Sequence, residues 1–225
     1  MKPLLLALIF IITILDSYFY GRGLEPYQLV FEPLIIPSIL AYYLLSSKRK
    51  DRFILIAFFL VWMGDLLLLI EWGSFFLQWA VFSYWLMQLS FIKVYRSYQF
   101  QYSFNAHLLG LLFWGSYLVV FLNHVYSSLG NMKIHGVVYG VTLSAFGSIA
   151  VMEMLKKVSK KNIFLVLGLL IFSIRDVFLT YNKKYFNEEV FTFSIPNLHG
   201  IGFFIIIKAF LYYEQDVLSG DYEKS

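Results

Sequence analysis

Eight long runs of apolar residues follow one another along the chain, separated by short polar segments. Each run is continuous rather than alternating, which is typical of helices that cross a membrane and not of the strands of a β-barrel. A helix needs about 20 apolar residues to cross the hydrocarbon of a bilayer. The pattern therefore predicts eight transmembrane helices, over residues 3–20, 28–47, 53–71, 75–92, 106–123, 133–155, 162–181 and 193–213.

The first run resembles a signal peptide, because Lys2 precedes an apolar stretch from Leu4 to Leu15. Residues 16–20 are Asp-Ser-Tyr-Phe-Tyr, and this segment offers no cleavage site made of small residues. We therefore predict that the first run is a retained membrane helix.

The composition agrees with a membrane protein and excludes several soluble classes. Of the 225 residues, 60% are hydrophobic and 14% are charged, whereas a soluble domain has about 45–50% apolar and about 25% charged residues. This balance excludes a disordered chain, a soluble enzyme, a nucleic-acid-binding domain and a disulfide-rich secreted module. The chain has no cysteine, which excludes thiol nucleophiles and Cys metal sites. We predict an all-α, polytopic membrane helix bundle that forms a single domain over residues 1–225.

The lysines and arginines are unevenly distributed between the predicted loops. With the N-terminus inside, twelve of the 18 lie in inner segments, and the outer segments hold Arg22, Lys133, Lys183 and Lys184. Short loops rich in Lys and Arg stay on the cytoplasmic side of a membrane. The asymmetry predicts that both termini are inside. The helical spans and short loops fit a bacterial inner membrane or an endoplasmic-reticulum membrane, and in a bacterial cell we predict the inner membrane.

The third and seventh spans resemble each other. Each contains an aspartate followed by an apolar run, and Asp176 comes 111 residues after Asp65. The same offset relates Gln88 to His199, so that Asp65 is matched with Gln88 and Asp176 with His199. This predicts an internal repeat, residues 1–105 and 106–215, folded as two parallel four-helix halves. The alternative is chance similarity between apolar segments.

Asp65 and Asp176 are the deepest acids in the predicted spans. A charge at the centre of a bilayer costs at least about 2.5–3.5 kcal/mol, so it needs a partner or a function. The functional interpretation is a pair of carboxyl groups in a polar cavity between the third and seventh helices. The alternative is two separate buried acids, each satisfied by a neighbouring polar group.

Other polar residues in the spans are candidates for binding a substrate. Arg175 immediately precedes Asp176 on one helix and should point about 100° away from it. It is therefore available to neutralise Asp65 or to bind a lipid phosphate. The other candidates, for which helix packing is the alternative role, are Gln88, Ser173, Asn197 and His199, with Tyr139 and Ser144 as further hydrogen-bond partners. The histidines have no paired metal-ligand spacing, so no metal site is expected.

Three segments resemble the YhhN-like family of integral membrane proteins. The first is Gly64-Asp65 followed by leucines in the third span, and the second is residues 172–176, Phe-Ser-Ile-Arg-Asp, in the seventh. The third is Glu32-Pro33-Leu34, where the family typically has Lys-Pro-Leu. The chain is similar to the family over nearly its whole length, as a divergent member.

The sequence departs from the family's pattern around the two aspartates. Arg175 replaces the serine that usually precedes the seventh-span aspartate. Residues 88–91, Gln-Leu-Ser-Phe, replace a His-x-x-Tyr motif, and His199 falls where the family has glutamine.

The family includes the lysoplasmalogenases, which cleave the vinyl-ether bond of lysoplasmalogens. The resemblance implies a hydrolase that releases an aldehyde from a lysophospholipid, with Asp65 and Asp176 as catalytic acid and base and no metal or organic cofactor. Gln88 and His199 would position water or the glycerol hydroxyl, and Arg175 would hold the phosphate.

Two other classes of function remain open. Buried acids beside a basic residue also suit a proton-coupled transporter, and the loss of the His-x-x-Tyr motif suits a non-catalytic lipid-binding relative. The basic residues lie in loops without interleaved aromatics, so nucleic acid is not an expected partner.

Overall fold

The computed structural model of the protein describes residues 2–70, 74–98, 104–126, 130–181 and 189–219. Within these ranges the chain forms eight α-helices and one short 3-10 turn, Gly130–Met132. The helices are α1 (Lys2–Gly21), α2 (Glu25–Ser46), α3 (Arg52–Leu69), α4 (Ser74–Ser97), α5 (Phe104–Val125), α6 (Lys133–Lys156), α7 (Lys160–Tyr181) and α8 (Glu189–Ser219). The prediction of an all-α bundle is confirmed.

Seven of the eight helices are long and apolar enough to cross a membrane. In α5, the apolar stretch of the described side chains is the shorter segment Leu108–Val120. The chain is therefore a multi-pass membrane protein. Of the residues used to predict its orientation, Lys183, Lys184 and Lys224 lie outside the described ranges, and the orientation stays a prediction.

α4 and α8 continue furthest beyond their predicted spans. α4 ends at Ser97 instead of residue 92, and α8 ends at Ser219 instead of residue 213. Hydropathy detects only the apolar part of a helix, whereas backbone hydrogen bonding continues through the polar turns that follow it.

Sequential helices pack in pairs, α1 with α2, α3 with α4, α5 with α6 and α7 with α8. α8 also packs against α1 and α2, and α4 packs against α6. α8 therefore has neighbours from both ends of the chain, and its buried Phe203 and Phe210 contact Phe91 of α4. The internal repeat over residues 1–105 and 106–215 stays a prediction.

Glycines bring α8 close to its neighbours. A Cβ atom added to Gly168 of α7 would lie 2.9 Å from the backbone nitrogen of Ile206 in α8. One added to Gly200 of α8 would lie 3.0 Å from Oγ1 of Thr13 in α1. Small residues allow backbones to approach closely in membrane bundles. These contacts fix the position of α8 between α1 and α7.

Pro37 of α2 leaves the carbonyl of Pro33 without its usual hydrogen-bond donor, and a side chain of α3 donates to that carbonyl instead. Pro37 has no N–H to offer the carbonyl of Pro33, four residues earlier. The indole Nε1 of Trp62 donates to that carbonyl at 3.0 Å. This bond fixes the proline segment of α2, which also carries Glu32, against α3.

Glu214 of α8 holds the loop between α2 and α3. Its buried carboxylate accepts hydrogen bonds from Ser47 Oγ at 2.6 Å and from the backbone nitrogens of Lys48 and Arg49 at 2.6 and 2.9 Å. Asp51 then begins α3 by accepting from the backbone nitrogen of Phe53 at 2.8 Å. The far end of α8 is thereby anchored to the connection that leads into α3.

Candidate functional site

The buried polar side chains of several helices lie at one level of the bundle. Asp16, Asp65 and Asp176 lie in the second halves of α1, α3 and α7, whereas Tyr84 and His199 lie in the first halves of α4 and α8. Odd and even helices run in opposite directions, so these positions fall in the same layer, on the side predicted to be outside.

Asp65 is bonded to two other members of this layer. It is 2% exposed. Its Oδ1 accepts a hydrogen bond from the hydroxyl of Tyr84 at 2.5 Å, and its Oδ2 lies 3.1 Å from Nε2 of His199. The His199 ring packs at 5.8 Å, centroid to centroid, from Phe172. Asp65 therefore joins α3 to α4 and α8.

The glycine of the Gly64-Asp65 motif has a steric role. A Cβ atom at Gly64 would lie 3.0 Å from Cε1 and Cζ of the Tyr84 ring. Any larger residue would push the phenol away from α3. The glycine therefore provides the space that allows Tyr84 to reach Asp65.

Asp176 has a separate set of partners. Its Oδ2 accepts a hydrogen bond from the hydroxyl of Tyr139 in α6 at 2.6 Å, and its Oδ1 lies 3.0 Å from an Arg175 guanidinium nitrogen. All three side chains belong to the same buried layer, and the proposal from sequence that Tyr139 is a hydrogen-bond partner is confirmed.

Arg175 connects the two aspartates. Its guanidinium lies 5.5 Å from the centre of the Tyr84 ring, whose hydroxyl binds Asp65, and 5.7 Å from that of Phe172. The expectation that Arg175 points away from Asp176 was wrong, because its long side chain bends back to form an ion pair with the neighbouring carboxylate. Its Nε has no hydrogen-bond partner within the described ranges.

The 111-residue offset matches positions along the chain and does not predict which aspartate His199 contacts. That offset matched His199 with Asp176, whereas the imidazole contacts Asp65. The offset relates positions along the chain and says nothing of how α8 is rotated. The Nδ1 atom of His199 is buried and unpaired among the described residues.

Gln88 lies one helical turn after Tyr84 on the same face of α4. It is buried, and neither atom of its side-chain amide has a partner in the part of the chain that the structure describes. Gln88 is one of the residues around a small cavity between α4, α6, α7 and α8, and the other lining residues are apolar.

Ser173 and Asn197 bond to their own helices. Ser173 Oγ donates to the carbonyl of Leu169 at 2.9 Å, and the Asn197 amide donates to the carbonyl of Phe193 at 3.1 Å. Such bonds are typical of polar residues that support helix packing. Their suggested role in substrate binding stays a prediction that these contacts do not support.

Two acids of the layer were not selected from the sequence as site residues. Asp16 is completely buried, at 0% exposure, and lies within electrostatic range of Glu32 and Asp65. Glu32 accepts a hydrogen bond from Gln28 at 2.8 Å. The sequence does indicate Asp16, because it is an acid inside the first apolar run, which is predicted to be a retained membrane helix.

Within the described ranges, the acids of the layer do not form a metal-binding cluster. Among the described residues, no group of three or more His, Cys, Asp or Glu side chains is arranged to hold a metal ion. The side chains of His107 and His124 lie outside the described part of the chain.

A sequence model of the YhhN family matches residues 27–210, which is more than half of the chain. The matched segment includes Asp65, Tyr84, Asp176 and His199, and it begins after α1, so it excludes Asp16. No curated protein and no solved structure matches the chain.

Proposed function

The chain belongs to the YhhN family, and from this premise we propose that it is a membrane hydrolase that cleaves the vinyl-ether bond of a lysophospholipid. Its products are an aldehyde and the glycerophosphodiester that carries the headgroup, because a lysophospholipid has a single chain. The support is its similarity, described above, to a family that includes lysoplasmalogenases, together with the chemistry of the buried layer.

The observation that carries the proposal is the arrangement around Asp65 and Asp176. Two carboxyl groups lie at one level of an apolar bundle, each held by a tyrosine hydroxyl and by a basic side chain. Buried charges that serve only packing are expensive in a membrane, so such an arrangement indicates a functional site.

The chemistry of vinyl-ether hydrolysis matches these groups. Protonation of the alkene carbon forms an oxocarbenium ion, and a carboxylate stabilises that cation in a low-dielectric site. The carboxylate also accepts a proton from the water that attacks the cation, which gives a hemiacetal. The hemiacetal then breaks down to the aldehyde and the free glycerol hydroxyl. We assign the carboxylate functions to Asp65 and Asp176.

Three unpaired polar groups are suited to hold the substrate and water. Among the described residues, Arg175 Nε, the Gln88 amide and His199 Nδ1 are buried without partners. Buried polar groups are normally hydrogen-bonded, so an unpaired set beside the acids is explained by a ligand or by water. In this proposal Arg175 binds the phosphate, and Gln88 and His199 position the water and the glycerol hydroxyl.

The direct test is an aldehyde-release assay on purified protein in detergent. The substrate is a lysoplasmalogen, and the control substrate is the acyl lysophospholipid with the same headgroup. We expect aldehyde from the vinyl ether and no product from the acyl lipid. A well-folded protein that releases no aldehyde would overturn the proposal.

A proton-coupled transporter is the second candidate, favoured by one observation. Asp16, Glu32 and Asp65 bring three acids from three successive helices into electrostatic range of one another. Intramembrane acids of this kind are typical of proton pathways. Uptake of a lysophospholipid into vesicles that depends on a proton gradient, without aldehyde release, would favour this function.

A further inference from the structure

Asp65 and Asp176 are both surrounded by hydrogen-bond donors. Asp65 receives the Tyr84 hydroxyl and contacts His199, and Asp176 receives the Tyr139 hydroxyl and the Arg175 guanidinium. Both carboxyl groups are therefore already engaged by neighbouring polar side chains. Acid-catalysed cleavage of a vinyl ether also needs a group that donates a proton, and these contacts do not identify either aspartate as that donor.

Asp16 has the opposite surroundings. It is 0% exposed, and neither of its carboxyl oxygens has a hydrogen-bond partner within the described ranges. An isolated carboxylate is strongly disfavoured in an apolar interior, so such a group is neutral. A proton donor is also expected to have an unpaired, buried carboxylic acid before its substrate binds.

The position of α1 brings Asp16 to the site. Thr13, one turn before Asp16 on the same helical face, packs against Gly200, the residue after His199. Asp16 is within electrostatic range of Glu32 on α2 and of Asp65 on α3. The group is therefore part of the same polar layer as the Asp65–His199 contact.

The layer contains more acidic than basic side chains, so some of its acids are expected to be protonated. Its acids are Asp16, Glu32, Asp65 and Asp176, and its basic groups are Arg175 and His199. Arg175 and His199 both act electrostatically on Glu32. Four acids exceed two bases by two even when the imidazole is protonated, so the low-dielectric part of the site favours a neutral form of at least one acid. Asp16 is the one without donors.

We propose that Asp16 is the proton donor of the site, an inference that rests on the proposed vinyl-ether hydrolysis. The carboxylic acid O–H bond of Asp16 breaks as a C–H bond forms at the alkene carbon, which leaves an Asp16 carboxylate and the oxocarbenium ion. Asp65 takes a proton from the attacking water. Collapse of the hemiacetal moves its hydroxyl proton to the leaving glycerol oxygen, and the proton on Asp65 returns to Asp16.

The first experiment measures where the proton resides and does not need the enzymatic activity. Infrared spectra of the protein in lipid vesicles show the carbonyl stretch of a protonated carboxylic acid. We expect Asp16→Asn to reduce this band by the contribution of one carboxyl group and Asp65→Asn to leave it unchanged. A band that Asp16→Asn leaves unchanged would overturn the proposal, whether or not the protein releases aldehyde. A wild type with the Asp16 band but without aldehyde release would instead show that only the proposed hydrolysis is wrong.

The second experiment compares Asp16→Asn with Asp16→Glu and with the neighbouring control Ser17→Ala. Ser17 donates to the Thr13 carbonyl of its own helix, its one side-chain bond among the described residues. General acids contribute about 10²–10⁴-fold to a rate, so we expect kcat of Asp16→Asn to fall by at least about 100-fold with KM little changed. Asp16→Glu should recover part of the activity, and Ser17→Ala should resemble the wild type.

The pH profile separates a proton donor from a structural residue. In Asp16→Asn only hydronium remains as the acid, so its residual rate should rise in proportion to the hydronium concentration. The wild type should be much less sensitive over the same range. Full activity in Asp16→Asn, or a loss of activity with an unchanged pH profile, would overturn the assignment.

Discussion

The Nε2 atom of His199 lies 3.1 Å from Oδ2 of Asp65, although the two residues are separated by 134 positions in the chain. This contact places one side chain of α8 beside the aspartate of α3. It depends on the position of α8, which is fixed by close contacts at Gly168 and Gly200 and by the bonds of Glu214 to the α2–α3 loop. The geometry of the site is therefore a property of the whole bundle.

Replacing Asp65 or Asp176 tests the proposed carboxylate functions. Asp65→Asn and Asp176→Asn keep the size of the side chain and remove its negative charge. We expect each to reduce the rate of aldehyde release by at least about 100-fold, the lower end of the range for acid–base groups. The measurement is kcat on detergent-purified protein that elutes as a single species.

The matched control is Asp216→Asn. Asp216 lies near the end of α8, where it pairs with Lys161 and has 41% of its side chain exposed. Exposed ion pairs contribute about 0–1 kcal/mol, so the control should keep both stability and activity. Full activity in Asp65→Asn or in Asp176→Asn would contradict the assignment of that residue.

Tyr84 and Tyr139 donate to the two aspartates, so removal of their hydroxyl groups should affect chemistry and stability together. Tyr84→Phe and Tyr139→Phe should each cost about 1.5–3 kcal/mol of stability, the range for hydrogen bonds to charged groups. We expect a lower thermal midpoint and a lower kcat in both. Tyr27→Phe, at an exposed position, is the control. Unchanged kcat in Tyr84→Phe would show that this hydrogen bond does not support the reaction.

Gly64→Ala tests the steric role of the glycine beside Asp65. The added Cβ would lie 3.0 Å from the Tyr84 ring, and overpacking of this kind typically costs about 1–3 kcal/mol. We expect a loss of activity because the displaced phenol no longer reaches Asp65. Gly115→Ala is the matched control, since a Cβ at Gly115 in α5 meets no atom within 4 Å. Similar effects of the two substitutions would contradict a specific role for Gly64.

Glu214→Gln tests whether the anchor of α8 contributes to stability separately from catalysis. The variant keeps the shape of the side chain but weakens its bonds to Ser47 and to the nitrogens of Lys48 and Arg49. We expect a loss of about 1–3 kcal/mol, seen as a lower thermal midpoint, with kcat retained below the transition. The control is Glu153→Gln, which breaks only a surface pair with Lys156. Equal midpoints for the two variants would show that the loop bonds of Glu214 are not stabilising.

The sequence predicted the bundle and its two central aspartates because each follows from a large energetic term. Continuous apolar runs of membrane length allow one class of structure, and an acid in such a run must be buried within the bundle. Asp65 and Asp176 were found in this way. Asp16 also lies in an apolar run, but near the end of the predicted first span, residues 3–20, where an acid costs less than at the centre of the bilayer.

The partners of the aspartates could not be derived from the sequence. Tyr84 is one of 17 tyrosines, and nothing in its surroundings along the chain distinguishes it from the aromatic residues that pack the core. The contact of His199 with Asp65 depends on how α8 is rotated against distant helices, which sequence offsets do not encode. The bend of Arg175 toward Asp176 depends on side-chain torsions rather than on helix periodicity.

The orientation of the bundle can be tested with single cysteines, because the natural chain has none and gives no background labelling. Leu24 lies in the α1–α2 turn and Arg49 in the α2–α3 loop, and both are exposed. The excess of Lys and Arg in the inner segments predicts that Leu24→Cys faces outside and Arg49→Cys faces inside. A membrane-impermeant maleimide added to intact cells should label Leu24→Cys at once, and Arg49→Cys only after the membrane is opened. The reverse pattern would place the acidic layer in the inner half of the membrane, so that its substrate would be drawn from the opposite leaflet.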